Sequence, residues 1–401
     1  MYTQTPPDDS RVPSPSFDGQ EPPPHPTIRS LRELIDLVSG KSFKSEVVEP
    51  SGLAEILPFP FMGLVGQTEM KVALLLALIN PAINGVILLG PRGTGKTTAV
   101  RSLLDLLPDI ERSACFYGCL PQDIEAGGMD AVCPDCARKY AEGFPLTKTD
   151  RVRLVELPLN ARIDDVVGGL DDRALVHERL RLKRGILAQA DQNILYADEV
   201  NLLGDDVVDA TLDAAAQGKY TVNRGPATAT YNARFTLIGS MNPEEGSLRP
   251  QIMDRFGLRV IVRGLQNAQE RLEAYRRVRA YTENPRQMIE LFKNETDLAR
   301  EDIQEARRLL PQVELSTDLA NTCIEVIQRL KIDSLRAEIN LFESARAYTA
   351  SDGRNKVELK DVQAVALLCL RLRRSSFITR YFQKQAEEDL EIEAALKSAK
   401  T

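Results

Sequence analysis

No stretch of this 401-residue chain is apolar for long enough to cross a bilayer. The longest run, Val72 to Ile79, spans eight residues, against the roughly 20 that a membrane helix needs. Met1 to Ser30 is polar and proline-rich and lacks the apolar core of a secretory signal. The expectation is a cytoplasmic protein whose six cysteines are thiols or metal ligands, not structural disulfides. Histidine is scarce: neither His25, in the proline-rich start, nor His177, on a charged helical stretch, reads as a ligand. Positive charge is not in excess either, and a net charge of −7 gives no footprint for nucleic acid. There is no internal repeat.

What is present is an ordinary globular composition, 43% hydrophobic and 27% charged, in a chain long enough for two or three domains. Eight prolines among the first 26 residues predict a disordered extension over 1–57. Ile28, Leu31, Leu34, Ile35 and Val38 add one short amphipathic helix at Thr27–Ser39. Over 58–265 short β-rich runs alternate with helical ones, which predicts an α/β domain: a parallel five-stranded sheet with helices on both faces. The strands read as Val86–Leu89, Arg153–Leu157, Ile194–Ala197, Phe235–Gly239 and Leu258–Val262. Two alternating runs around Gly225-Pro226 predict a projecting β-hairpin over 219–232. A helical linker at 266–296, an all-α domain at 297–374 and a charged tail at 375–401 complete the plan. The helices are expected at Ala268–Tyr281, Pro285–Lys293, Asp297–Leu310, Thr317–Leu330, Ile332–Thr349 and Leu359–Arg373.

The most specific string is Gly90-Pro91-Arg92-Gly93-Thr94-Gly95-Lys96-Thr97, which follows the first strand directly. Its spacing is that of a triphosphate-binding loop. Glycines at 90, 93 and 95 let successive N–H groups turn toward phosphate oxygens. Thr97 and Thr98 open a helix whose N-terminus favours the same anion. Lys96 is placed for the β- and γ-phosphates, and the Thr97 hydroxyl for Mg²⁺.

A hundred residues later, Ile194 to Ala197 ends in Asp198-Glu199. Asp198 is placed to hold Mg²⁺ opposite Thr97, and Glu199 to polarise the water that attacks the γ-phosphate. Asn242, after the fourth strand, is an amide able to orient that water, or a plain turn residue before Pro243. Arg255 ends a helix before the fifth strand. It is either a guanidinium that enters a neighbour's nucleotide site or a basic residue satisfying the helix dipole.

Together these residues resemble the AAA+ ATPases: Walker A at Gly90–Thr97, Walker B at Ile194–Glu199, sensor 1 at Asn242 and an arginine finger at Arg255. The segment from Phe61 to Leu76, the blocks around Asp198–Leu203 and Asn242–Gly246, and Asp254–Gly257 are similar to the motor subunits of magnesium chelatase. Leu309–Val313 and Ser334–Glu338 extend the likeness into the helical part, so it covers roughly residues 59–373. The resemblance implies ATP and Mg²⁺ as cofactors, a homo-oligomeric and hexameric ring, and two partners. One is a second AAA+ subunit with an integrin-like domain; the other is a large porphyrin-binding subunit that inserts Mg²⁺ into protoporphyrin IX for chlorophyll synthesis. It makes 297–374 a lid, Arg336 the sensor 2 residue, the hairpin a pre-sensor hairpin, and Asn160–Lys183 an insertion. Related AAA+ proteins load cobalt into corrins or remodel proteins, so the client stays open. A ring acting on nucleic acid would need a basic hairpin, and here Lys219 and Arg224 are the only cations in it. A nucleotide switch without turnover is the third alternative.

Within the Cys-rich insertion at 111–150, Cys115 and Cys119 stand thirteen residues before Cys133 and Cys136. Two short thiolate pairs joined by a loop suit a four-Cys Zn²⁺ site. Redox-active thiols and free thiols are the alternatives. Cys323 and Cys369 lie on apolar helix faces and read as core.

Overall fold

A computed structural model of the chain describes residues 57–169, 183–225, 227–246 and 248–374. The extension up to residue 56, the tail over 375–401, the Thr27–Ser39 helix, His25, His177 and most of the 160–183 segment lie outside the described residues. Nine strands are present among the described residues: β1 (Val86–Leu89), β2 (Ile110–Ser113), β3 (Thr147–Asp150), β4 (Leu154–Leu157), β5 (Ile194–Ala197), β6 (Lys219–Arg224), β7 (Ala227–Asn232), β8 (Thr236–Met241) and β9 (Leu258–Ile261). Five of them form one sheet in the order β4-β5-β8-β1-β9, every pair parallel. β1 and β5 are unbroken apolar runs buried at every residue, as strands covered on both faces must be. All five strands expected for this sheet are there, with ends moved by one or two residues.

The helices are α1 (Thr68–Ile79), α2 (Lys96–Ser102), α3 (Pro121–Gly127), α4 (Pro134–Ala141), α5 (Ile163–Val167), α6 (Ile186–Gln189), α7 (Asp205–Gln217), α8 (Pro250–Arg255), α9 (Ala268–Glu283), α10 (Pro285–Leu291), α11 (Lys293–Leu309), α12 (Thr317–Arg329), α13 (Arg336–Ser351) and α14 (Leu359–Leu370). α1 is buried almost all round because it lies between the sheet and the C-terminal helices, touching β1, β9, α11 and α13. One apolar core therefore runs from Val86, Leu88, Leu258 and Val260 through Leu74 and Leu78 to Ile303, Ile327, Leu341 and Val365. A second core covers the other sheet face with Leu195, Leu237, Val208, Leu212 and Phe256.

Buried ion pairs reinforce the helical half. Asp361, wholly buried, takes two bonds from Arg354 (2.9 and 2.5 Å), one from the Thr349 hydroxyl (3.0 Å) and one from the Glu358 N–H (2.9 Å). Two expected helices are shorter than their apolar spacing suggests. α13 starts at Arg336 instead of Ile332, and α14 ends at Leu370 instead of Arg373, where Leu372 adopts left-handed backbone (φ +60°).

The hairpin is antiparallel β6–β7, turning at Gly225 with φ +57°. The insertion is closed by an antiparallel pair, β2–β3, with α3 and α4 between its strands.

Candidate active site

The phosphate loop leaves the carboxyl end of β1, and Asp198-Glu199 leave the carboxyl end of β5, with β8 between them. Both groups are thus at one end of the sheet, where ligands bind in open α/β folds. Gly93 and Gly95 have φ of +75° and +85°, which other residues adopt at a cost. At Gly90 the constraint is contact, since a Cβ would come within 2.1 Å of the Val262 carbonyl oxygen. Lys96 folds back over the loop, its Nζ donating to the carbonyls of Gly90 (2.7 Å) and Pro91 (2.8 Å). Burial lowers its pKa, against the pull of Asp198, Glu245 and Glu199. The Thr94 hydroxyl closes the turn on the Pro91 carbonyl at 3.0 Å. Thr98 sits in the first turn of α2, its carbonyl accepting from the Ser102 hydroxyl.

Thr97 Oγ1 lies 3.5 Å from Asp198 Oδ2 and 3.2 Å from the Tyr196 hydroxyl. Asp198 Oδ1 accepts from that tyrosine at 2.8 Å and from the Ser240 hydroxyl. Burial raises the Tyr196 pKa, so the phenol stays a proton donor to the carboxylate. Glu199 has left-handed backbone, φ +51°, and its N–H donates to Ser240 Oγ at 3.2 Å. That conformation is costly for a residue with a Cβ and is retained where surroundings hold it.

Arg92 Nη2 contacts Glu199 Oε1 at 3.2 Å, and Arg92 Nε contacts Glu245 Oε1 at 2.6 Å. The same Glu245 oxygen accepts from Asn242 Nδ2 at 2.8 Å, while Asn242 Oδ1 takes the Glu244 N–H at 3.3 Å. The other Glu245 oxygen and both ends of the Asn201 amide are buried without a hydrogen-bond partner. Unpaired buried polar atoms are rare, and Glu245 stands beside the phosphate loop through Arg92. The donor set fits a Mg²⁺–triphosphate: amides and Lys96 for phosphate, a hydroxyl and a carboxylate for the cation.

Tyr196, Ser240, Glu245 and Asn201 were not among the expected site residues. Tyr196 and Ser240 had one signal, since each lies two residues before an expected position, Asp198 or Asn242, on the same strand. A cavity of about 550 Å³ at the carboxyl end of β9 was also unforeseen; Gln67, Met70, Ile261, Arg263, Leu265 and Asn267 are among its lining residues.

Arg255 and Arg336 lie elsewhere. Leu258 pairs with Val86, the first residue of β1, so Asp254 and Arg255 stand at the amino ends of the strands, opposite their own phosphate loop. Arg255 Nη1 contacts Asp213 at 2.8 Å and Asp209 at 3.6 Å on α7. Arg336, at the start of α13, contacts Asp254 Oδ2 at 3.2 Å. Within one chain Arg336 is thus paired with Asp254 at the amino ends of the strands, away from its own phosphate loop. The same carboxylate receives the Ser334 hydroxyl at 2.8 Å, Arg373 at 2.8 Å and Arg259 at 3.4 Å. Burial and the neighbouring Arg373 push the Arg259 pKa down to about 9.

The sulfurs of Cys115, Cys119, Cys133 and Cys136 all lie within 4.8 Å of one another, with no disulfide. Backbone N–H groups of Tyr117 and Cys133 donate to the sulfurs of Cys115 (3.3 Å) and Cys119 (3.4 Å). Cys323 and Cys369 are buried in the helical core.

Residues 169–252 match the family described as magnesium chelatase, subunit ChlI, and residues 320–395 match the AAA lid domain. The chain is 42% identical over 336 residues to a magnesium-chelatase subunit ChlI homolog of Methanocaldococcus jannaschii, covering 83% of this chain and 90% of that one. It is 42% identical over 317 residues to the chloroplastic magnesium-chelatase subunit ChlI of Nicotiana tabacum, covering 79% and 74%. Among solved structures, a chain from the complex between subunits BchI and BchD of magnesium chelatase is 38% identical, covering 80% of this chain and 98% of that one, with a TM-score of 0.46. No helix among the described residues is long and apolar enough to cross a membrane.

Proposed function

This chain belongs to the magnesium-chelatase subunit ChlI family and is an AAA+ ATPase, and from that premise we propose that its ATP hydrolysis drives insertion of Mg²⁺ into protoporphyrin IX held by a partner subunit. The observation that carries the reading is the convergence of Thr97, Asp198, Glu199 and Asn242 at the carboxyl end of one sheet. Loop amides and Lys96 bind the phosphates, and the cavity lined by Gln67 and Leu265 receives the base. Thr97 and Asp198 hold the Mg²⁺ of the nucleotide, which supplies charge neutralisation at the β- and γ-phosphates. Glu199 takes a proton from the attacking water, and Asn242 orients that water.

Arg255 and Arg336 face away from their own loop, so both act on the nucleotide of the next protomer. That requires a ring, for which the family's hexamer is the proposed form. A second AAA+ subunit with an integrin-like domain and a large porphyrin-binding subunit complete the assembly. The four thiols hold a structural Zn²⁺, whose tetrahedral preference matches their packing.

The test is reconstitution with both partner subunits, protoporphyrin, Mg²⁺ and ATP. Formation of Mg-protoporphyrin that stops with Glu199→Gln supports the reading. ATP turnover without any metal insertion, with partners competent beside a bona fide motor subunit, overturns the client.

A further inference from the structure

The thiolate cluster is fastened to the β6–β7 hairpin, and the fastening is made by the three residues between its first two cysteines. Asn232, the last residue of β7, donates its N–H to the Tyr117 carbonyl (3.1 Å) and its side-chain amide to the Gly118 carbonyl (2.9 Å). The Arg234 guanidinium reaches the same Gly118 carbonyl at 2.6 Å and Asp123 at 2.9 Å. Tyr231 is buried under the rings of Phe116, Tyr117 and Tyr220, with centroids 5.8, 5.6 and 5.6 Å away. Gly118 has φ +82°, and a Cβ there would come 2.8 Å from Asp191 Oδ2 and 3.1 Å from the Asn232 Cβ. Only glycine allows that approach.

The geometry points to a tetrahedral Zn²⁺ site at Cys115, Cys119, Cys133 and Cys136 that clamps Phe116–Gly118 onto β7, so that the bound metal fixes the position of the hairpin. This rests on the zinc assignment given above. Zinc–sulfur bonds of about 2.3 Å place tetrahedral sulfurs about 3.8 Å apart. Here Cys115 lies 3.7 Å from Cys119 and 3.5 Å from Cys133. A cubane iron–sulfur cluster holds its cysteines further apart than 4.8 Å, because the ligands bind separate irons.

Apolar packing does not replace the metal. The cluster's core adds only Ile124, Leu146 and Val132 to the cysteines themselves, and the β2–β3 pair that closes the insertion has no fully buried residue. Disulfides within each short pair would close two small loops without joining them, whereas one ion joins both to the clamp. From the clamp the route inward is short. Arg234 binds Asp191, which precedes β5, through its N–H at 2.9 Å; two residues on, β8 begins and leads to Ser240 and Asn242.

Elemental analysis of the full-length protein should find one zinc per protomer and no visible colour, with zinc lost in Cys136→Ser. Iron, or titration of the four thiols as two disulfides, overturns the zinc site. Amide hydrogen exchange, read on zinc-loaded and chelator-stripped protein, should rise at least tenfold (about 1.4 kcal/mol) over 219–232 while β1 is unchanged. Asn232→Ala should keep its zinc and show the same rise, a measurement that does not need a foldable cysteine variant. Zinc present, with hairpin protection unmoved by stripping or by Asn232→Ala, leaves the metal site standing and overturns the clamp.

Discussion

Arg92 reaches out of the phosphate loop to the carboxylate of Glu199, 3.2 Å away, and the same guanidinium holds Glu245 at 2.6 Å. A water-activating carboxylate whose oxygen already accepts from a guanidinium is turned toward that cation and away from the water it must meet. Glu199 is free to work only when Arg92 turns elsewhere. Removing Arg92 should therefore loosen a brake. Arg92→Ala is expected to raise kcat for ATP by about two- to fivefold, the modest scale of an exposed ion pair, with KM little changed. A tenfold fall in kcat in steady-state assays would instead place Arg92 on the nucleotide.

If each site is completed by its neighbour, two inactive variants should rescue one another. Glu199→Gln is expected to lose about 100-fold or more in hydrolysis, and Arg255→Ala about as much. Mixed in equal amounts and allowed to exchange subunits, they should recover about a quarter of the wild-type sites, the share of random neighbours pairing an intact Glu199 with an intact Arg255. A mixture as inactive as its components would argue against shared sites.

Asp105 offers a pH test. Burial pushes its carboxyl up to about 6, partly opposed by Arg300. A raised carboxyl pKa means that the folded state holds the proton more tightly. The stability it gives is complete below about pH 4 and is lost as pH rises through about 6. Asp105→Asn should stabilise the protein at pH 7.5 by about 1–2 kcal/mol, discounted for partial exposure, and make little difference at pH 4. Urea denaturation at the two pH values measures both. A variant that gains nothing at pH 7.5 would show that Arg300 already neutralises the burial.

Asp361 should behave in the opposite sense. Its four hydrogen bonds hold the carboxyl below the usual range despite burial, so its contribution is present at neutral pH and lost in acid, below about pH 4. Asp361→Ala leaves the buried Thr349 hydroxyl and the Glu358 N–H without their acceptor and Arg354 with Asp352 as its hydrogen-bond acceptor, at a cost of about 2–4 kcal/mol. Chemical denaturation that shifts by less than 1 kcal/mol would mean solvent replaces the carboxylate.

The five-stranded sheet was readable chiefly from β1 and β5, short apolar runs bounded by turn residues and buried at every position, while β4 and β9 carry Glu156 and Arg259 within theirs. The β2–β3 pair was not. Ile-Glu-Arg-Ser and Thr-Lys-Thr-Asp carry one apolar residue between them, and their pairing spans the whole cysteine segment. α7 was also missed. Within the site, the phosphate loop and Asp198-Glu199 are contiguous strings whose chemistry is local. Glu245 acts across space, joining Arg92 to Asn242, and no spacing announces that. Arg336 shows a further limit: its sequence neighbours say that it opens a helix, but only the packing of α13 against Asp254 says which end of the sheet it faces.

The single apolar core shared by β1, α1 and the C-terminal helices has a mechanical consequence. With Leu88, Leu78 and Leu341 in one packed mass, and Arg259 and Arg373 paired with Asp254, a swing of the helical half away from the sheet would have to open that core. A sub-ångström shift at the sheet is then felt directly by the C-terminal helices, because close-packed interiors transmit strain.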